Sequence, residues 1–242
     1  MKGTLTGIGV GPGDPELVTL KAVNAIKNTK CLFYPITRSG TESAALQVVK
    51  AWVDPETRLI PLLSRMTSVP EERQAQRLKQ SRQIAQVLDT GTDAVMIVVG
   101  DALLYSTYSY VMKDLKTSGS LVKTIPGITA ASAAAAKLNT PLAEEDEKLV
   151  IWPGTDSKEE LIKQLDGITD NMTLLKVSAC REVLYQWLQE REATVTFALA
   201  SQLGSQEEAL HQDIECLKNP ELPYMSVALL KRKKQKRHKP GL

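Results

Sequence analysis

Histidine, cysteine and aromatic side chains are all scarce in this 242-residue chain. It has two histidines, three cysteines and two phenylalanines, and aromatics make up 5% of it. His238 stands among C-terminal lysines and arginines, which leaves His211 as the one body side chain with an ordinary pKa near neutrality. Ser-His-Asp and Cys-His nucleophiles are therefore poorly supplied. Cys31, Cys180 and Cys216 lie far apart, which argues against a disulfide framework or a CxxC metal site and fits a reducing cytoplasm. No metal-ligand spacing is present, and no metal is expected. No apolar run approaches the ~18 residues of a membrane helix. Gly3, Thr4, Thr6 and Gly7 interrupt any signal-peptide core near the start. The expectation is a cytoplasmic protein with no membrane partner.

What is present describes a globular chain. Hydrophobic residues at 43% and charged residues at 24% exclude disorder throughout. The length suits one large or two small domains. Seven of the 30 Lys/Arg fall in residues 231–242, so the remaining chain carries a net −5 against +2 for the whole. Such a tail reads as a solvated basic block, or as a contact for nucleic acid or an anionic surface. It has no interleaved aromatic to stack bases, which weakens the nucleic-acid reading.

Short apolar runs alternate with longer helical ones. Strands are predicted at Thr4–Val10, Cys31–Tyr34 (closed by Pro35), Arg58–Leu62 and Ala94–Val99. The uninterrupted AVMIVV of the last suggests a central parallel strand buried on both faces. Helices are predicted at Pro15–Lys27, with Asp14 as cap, and at Glu42–Trp52, Pro70–Leu88 and Tyr105–Leu115. The second half reads as strands Leu121–Ile125, Leu149–Trp152, Thr173–Val177, Val195–Ala200 and Tyr224–Leu230. Helices Ala130–Leu138, Glu159–Leu165 and Arg181–Glu190 lie among them. The predicted fold class is α/β, as two α/β domains over 1–116 and 121–230, a linker at Lys116–Ser120 and a basic tail at 231–242.

Three segments stand out. Gly7-Ile8-Gly9-Val10-Gly11-Pro12-Gly13-Asp14 has a glycine at every second position after a strand, more than a turn requires. It faces a ligand or makes a tight turn. It matches neither the GxGxxG fingerprint nor a P-loop, which argues against nicotinamide and ATP chemistry. Gly100-Asp101-Ala102-Leu103-Leu104-Tyr105 follows the most buried strand, and ligands of open α/β sheets bind beyond the carboxyl ends of strands. Asp101 there either accepts from a ribose hydroxyl or caps the next helix. Pro126-Gly127-Ile128-Thr129-Ala130-Ala131-Ser132 turns into an Ala-rich helix, for close ligand approach or for close packing. No catalytic constellation is evident, and the catalytic residues are unknown at this level. A site of this kind works by positioning.

Together these segments resemble the tetrapyrrole (corrin/porphyrin) methylases. GIGVGPGDPELVTLKA is similar to the family's opening loop and helix, IPGITAASAAAA to its mid-chain turn and helix, and MTLLKV to its adenine-side strand. LASQLGSQEEAL and PYMSVALLKR resemble its closing segments. The resemblance covers residues 1–232. GDALLYST, with Ala102 where many members have proline, resembles the branch that methylates C20 in cobalamin biosynthesis. Val99, where uroporphyrinogen methylases usually have glycine, argues against that enzyme.

The resemblance implies two α/β domains with a cofactor cleft between them, S-adenosylmethionine as cofactor, and a homodimer. It implies methyl transfer to C20 of precorrin-2 or cobalt-factor II, the tetrapyrrole substrate. It also implies a cofactor site at Pro12, Val99, Gly100, Asp101, Leu104, Thr129, Ala130, Leu175, Leu203 and Gly204. The carboxylate-rich substrate makes Arg38, Arg65 and Arg181, at predicted strand ends or helix starts, candidates for bidentate contacts, against ordinary surface ion pairs. The competing readings are a family member acting at another corrin carbon or on a protein, and an anion- or nucleic-acid-binding module using the tail.

Overall fold

The computed structural model describes residues 1–38, 42–65, 67, 69–154 and 157–233. The chain divides into two units, Met1–Thr129 and Ala130–Leu242. The first holds β1 (Thr4–Gly9), α1 (Leu20–Lys27), β2 (Cys31–Ile36), α2 (Ala44–Val49), β3 (Arg58–Leu63), α3 (Pro70–Leu88), β4 (Ala94–Val98), α4 (Tyr108–Thr117) and β5 (Leu121–Ile125). All its strand pairings are parallel, in the order β3-β2-β4-β1-β5.

This order fixes which face each helix covers. The connections β1→β2 and β2→β3 run one way along the sheet, and β3→β4 and β4→β5 run the other way. Right-handed crossovers then put α1 and α2 on one face and α3 and α4 on the other. The apolar clusters follow this division. Ala22, Ile26, Ala45, Val48 and Val49 pack with Leu32, Val95 and Ile97. Ile84, Leu88, Tyr108, Val111 and Leu115 pack with Leu5, Phe33 and Met96. β4 is buried along its whole length, as its unbroken apolar run predicts. The direction of connection reverses on both sides of β4, against β2 and against β1, which makes the region beyond the carboxyl end of β4 the expected ligand position.

The second unit holds α5 (Ala130–Lys137), β6 (Leu149–Pro153), α6 (Lys158–Asp166), β7 (Asn171–Leu175), α7 (Arg181–Gln189), β8 (Val195–Ser201), β9 (Ala209–His211) and β10 (Ser226–Arg232). Its sheet has the order β6-β7-β10-β8-β9. Only β6 and β7 are parallel neighbours. Met172, Leu174, Phe197, Leu199, Ala228 and Leu230 form one face and pack under Leu161, Leu165, Leu184, Trp187 and Leu188 of α6 and α7. The Trp187 indole donates to Asp166 Oδ1 at 2.8 Å, satisfying the one polar atom that side chain buries.

The α/β class in two units is as predicted, and α3 has the predicted bounds. Other expectations are corrected. Leu121–Ile125, expected to open the second domain, pairs with β1 and closes the first sheet, so the first unit runs to Thr129 rather than 116. Residues 15–27 are not one helix. Asp14 caps only a 3-10 turn at Pro15–Leu17, accepting from Glu16 N at 2.9 Å, and Thr19 then caps α1 anew. The strand at Cys31 runs through Pro35 to Ile36. Its pairing with β4 is confined to Leu32 and Phe33, so the N–H that proline lacks is not needed there. α4 starts at Tyr108 instead of Tyr105, whose left-handed backbone (φ 50°) cannot enter a helix.

The last strand continues past Leu230 through Arg232. Arg232 N donates to Asp170 O at 2.7 Å, its Nε donates to Ile168 O at 3.1 Å, and Lys231 pairs with Glu144 and Glu147. Lys231–Lys233 therefore belong to the body. Residues 234–242, the rest of the expected tail, lie outside the described residues.

Candidate active site

The five parallel strands of the first unit end along one edge, and the segments singled out in the sequence follow those ends. Gly11 and Gly100 form a reciprocal bridge just beyond β1 and β4. Gly100 N donates to Gly11 O at 2.7 Å, and Gly11 N donates to Gly100 O at 3.2 Å. Both have left-handed backbones, with φ of 80° and 73°. This bridge sets buried Pro12 and half-buried Val99 and Asp101 around it.

The Asp101 carboxylate is the clasp of this edge. Its Oδ1 accepts from Leu103 N at 2.8 Å, and its Oδ2 accepts from Gly127 N at 3.0 Å. It thereby ties the loop after β4 to the Pro126–Thr129 turn after β5. The helix-cap alternative is not what the structure shows, since α4 begins seven residues later with Thr107 before it.

The glycines separate into two kinds. A Cβ on Gly9 would lie 2.5 Å from Gly100 O and 2.7 Å from Gly127 N, and one on Gly127 would lie 2.3 Å from Gly100 O. A Cβ on Gly7 would enter the buried ring of Tyr108. These glycines serve backbone and ring packing within the protein, which accounts for their number without a ligand. At Gly100, by contrast, an added Cβ would meet nothing within 4 Å. Gly100 follows β4 between Val99 and the loop that carries Leu104, both of them half-buried.

Arg38 and Arg65 follow β2 and β3, and both are exposed. The two strand ends are joined where Ser64 N donates to Ile36 O at 2.8 Å, and Arg65 N donates to Gln76 Oε1 at 2.7 Å. The sequence-predicted arginines of the first unit thus share an edge with Pro12, Val99, Gly100, Asp101, Leu104 and Thr129. At ~4.8 Å per strand, they stand about two and three strand spacings from the Gly9–Gly13 turn.

In the second unit β6, β7 and β8 run the same way. Leu175 pairs with Val227 and Val227 with Ala200, so the segments after Leu175 and Ser201 leave the sheet at one end. Leu203 and Gly204 lie in that second segment. Gly204 N donates to Glu208 Oε2 at 2.7 Å, and Glu208 pairs with Lys137 at 2.9 Å. Ala130 opens α5, which packs on β8 and β10. Arg181 opens α7. Its guanidinium pairs with exposed Glu182 at 2.9 Å, and its buried Nε has no partner. Left-handed non-glycine residues adjoin three predicted positions: Tyr105 after Leu104, Lys176 after Leu175, and Gln202 before Leu203. Backbone strain of this kind gathers at ligand sites.

Titration is simple here. The Gly204 N–H and the Lys137 ammonium hold the Glu208 carboxyl below the ordinary carboxylate range. Burial pushes the Cys180 thiol up to about 12 and Cys216 to about 11, and raises Cys31, so none is a thiolate at neutral pH. Among the described residues no three His, Cys, Asp or Glu cluster as metal ligands do, and no helix is long and apolar enough to cross a membrane.

An open parallel sheet with small-residue turns gathered at its switch point defines an α/β protein built to hold a small ligand on backbone. Residues 4–215 match the family model of the Tetrapyrrole (Corrin/Porphyrin) Methylases, and the chain belongs to that family. It is an S-adenosylmethionine-dependent C-methyltransferase. It is 38% identical over 167 residues to the probable cobalt-precorrin-2 C(20)-methyltransferase of Methanocaldococcus jannaschii, covering 67% of this chain and 69% of that protein. It is 31% identical over 183 residues to the precorrin-2 C(20)-methyltransferase of a Sinorhizobium species, covering 72% and 74%. The uroporphyrin-III C-methyltransferase of Thermus thermophilus, solved with S-adenosylhomocysteine, has the same fold, with TM-score 0.67, 19% identity and coverage of 95% and 97%.

The residues present fit that cofactor. Gly100 leaves room for a ligand against backbone, Val99 and Leu104 offer apolar surface, and the Asp101 oxygens each retain acceptor capacity. The sequence marks Gly127 within the third segment without assigning it a role and does not mark Tyr108; both build this edge. The Pro126-Gly127 pair after a strand was the available signal.

Glu208 gives a pH-dependent prediction. Its folded pKa is depressed, so its contribution is full above the unfolded value of ~4.3 and is lost as pH falls through the folded value. Glu208→Gln should therefore lower Tm at pH 7, and the difference from wild type should begin to shrink as pH falls below ~4.3 and go on shrinking as it passes the lowered folded value. Thermal melts of both proteins across pH 3–7 check this. A gap constant with pH would assign it to shape rather than charge.

Proposed function

We propose that this protein transfers a methyl group from S-adenosylmethionine to C20 of precorrin-2 or of its cobalt-containing counterpart, cobalt-factor II, acting as a homodimer in cobalamin biosynthesis. The observation that carries this reading is the shared edge of the first sheet. The turns suited to the cofactor and two arginines suited to substrate carboxylates follow the ends of neighbouring strands. The names of the two relatives support C20 as the site.

S-adenosylmethionine supplies a methyl group carried on sulfonium. Backbone at Gly100 and the side chains of Val99 and Leu104 hold it, with Pro12 and Thr129 on the same sheet edge; Ala130, Leu175, Leu203 and Gly204 of the second unit stay candidates on the family resemblance. Asp101 keeps the two loops in register so that their geometry is set before binding. Arg38 and Arg65 take acetate or propionate groups bidentately and fix which meso carbon is presented. Arg181, in the second unit, is a candidate for such a carboxylate contact that would have to exchange its pairing with exposed Glu182. The electron-rich macrocycle is its own nucleophile, so no side-chain base is needed to create it; the sulfonium–methyl bond breaks as the bond to C20 forms, and the C20 proton is released to solvent. Catalysis rests on orientation, worth up to ~7–11 kcal/mol in the best cases.

The test is incubation with labelled methyl donor and either tetrapyrrole, followed by mass spectrometry. One methyl added to precorrin-2 or to cobalt-factor II is the expected result, and it also shows which of the two is used. No methylated product from either overturns the reading.

A further inference from the structure

Tyr105 is held in an unusual way. It lies in the loop between β4 and α4 with φ of 50°, a conformation that bulky residues avoid. Its ring is 49% exposed, and Leu103, two residues earlier, is 53% exposed. Three residues later Tyr108 is fully buried, its ring filling the space over Gly7 and its hydroxyl donating to Lys123 O at 2.9 Å. The loop therefore turns one tyrosine inward as a pillar and the other outward.

The loop is anchored at both ends. Asp101 accepts from Leu103 N at its start, and Ser106 Oγ accepts from Tyr108 N at 3.2 Å at its finish. A strained residue that survives between two such anchors is over-determined by its surroundings, the condition under which strain is retained for use. Asparagine or glycine would relieve the strain, so the aromatic group itself is what the position provides. Leu103 and Tyr105 are both exposed in the loop that follows β4, which neighbours β2 in the sheet, and Arg38 and Arg65 follow β2 and β3 along the same edge. Exposed apolar groups and cations on one edge are complementary to a flat conjugated body with a carboxylate rim.

We infer that Tyr105 is a substrate-positioning residue whose ring lies against the face of the tetrapyrrole, with Leu103 beside it. This inference rests on the tetrapyrrole reading above and deepens it. The ring fixes the height and tilt of the macrocycle while the arginines fix its rotation.

The experiment compares wild type with Tyr105→Asn and Tyr105→Phe in three measurements: cobalt-factor II binding followed by absorbance, S-adenosylhomocysteine binding by calorimetry, and Tm. Tyr105→Asn should weaken cobalt-factor II binding tenfold or more, leave S-adenosylhomocysteine affinity within about twofold, and keep a cooperative melt. Tyr105→Phe, which keeps the ring, should stay within about threefold on both ligands. Unchanged cobalt-factor II affinity in Tyr105→Asn overturns the assignment. So does an equal loss for both ligands, which would place residue 105 in the cofactor site. A loss in Tyr105→Phe as large as in Tyr105→Asn also overturns it, because the hydroxyl and not the ring would then be the contact. Failure of the wild-type protein to bind either precorrin-2 or cobalt-factor II while it binds S-adenosylhomocysteine removes the tetrapyrrole reading, and this inference with it; if precorrin-2 alone is bound, it replaces cobalt-factor II in the comparison.

Discussion

Asp101→Ala should abolish measurable cofactor binding and lower Tm by several degrees together. Two backbone N–H groups, of Leu103 and Gly127, lose a charged acceptor in one substitution. Hydrogen bonds to charged groups contribute about 1.5–3 kcal/mol each; water can replace the acceptor at exposed Leu103 N, while Gly127 N is part-buried and loses more. The loop after β4 would then part from the turn after β5, and the segment Val99–Leu104 would lose its register. Asp101→Asn should be nearly as damaging. The amide offers one oxygen, so one of the two N–H groups faces an NH2 instead of an acceptor. Calorimetry with S-adenosylhomocysteine and a thermal melt on each variant check this. Full stability with lost affinity would make Asp101 a ligand contact only, and full affinity with lowered Tm would make it structural only.

Gly127→Ala and Gly100→Ala should fail in opposite ways. An alanine at 127 puts a Cβ 2.3 Å from Gly100 O and 2.6 Å from Gly9 O. These are backbone atoms between paired strands and have nowhere to move. Overpacking costs typically ~1–3 kcal/mol and more where the backbone must shift, so this variant should be poorly folded or strongly destabilised. Gly100→Ala meets no atom within 4 Å and pays only for its left-handed φ of 73°, about 1–2 kcal/mol. It should fold, yet lose cofactor affinity about tenfold or more because its methyl group enters the open side beside Val99. Circular dichroism with S-adenosylhomocysteine titration distinguishes the two. Normal affinity in a folded Gly100→Ala would move the cofactor away from this turn.

Much of the first sheet was legible because parallel strands buried on both faces write continuous apolar runs, as at Ala94–Val98. α3 was legible because its start and stop carry proline and glycine signals. What stayed hidden was pairing. Leu121–Ile125 reads correctly as a strand, but which sheet a strand joins is decided by distant residues, here β1. The antiparallel character of the second sheet was hidden for the same reason, and β9, three residues long, is too short for any period.

At the site, the glycine spacing correctly announced close backbone approach. It did not say to what. Gly9 and Gly127 approach each other and Gly100, leaving Gly100 to face outward. Asp101 was read as a ligand contact or a helix cap, and its observed partners are two loop N–H groups. A carboxylate bridging residues 103 and 127 has no local sequence signature. Arg38 and Arg65 were chosen for lying past strand ends, and parallel pairing of β2 with β3 brings those ends together.

The most direct test of the proposed activity is where the methyl group goes. The protein is incubated with 13C-methyl S-adenosylmethionine and whichever of precorrin-2 or cobalt-factor II it accepts, and the product is examined by 13C NMR. The account predicts a single labelled methyl on the meso carbon C20. A label on a pyrrole-ring carbon or another meso carbon would contradict the C20 assignment while keeping the family chemistry. No label on the tetrapyrrole at all would contradict the account at its centre.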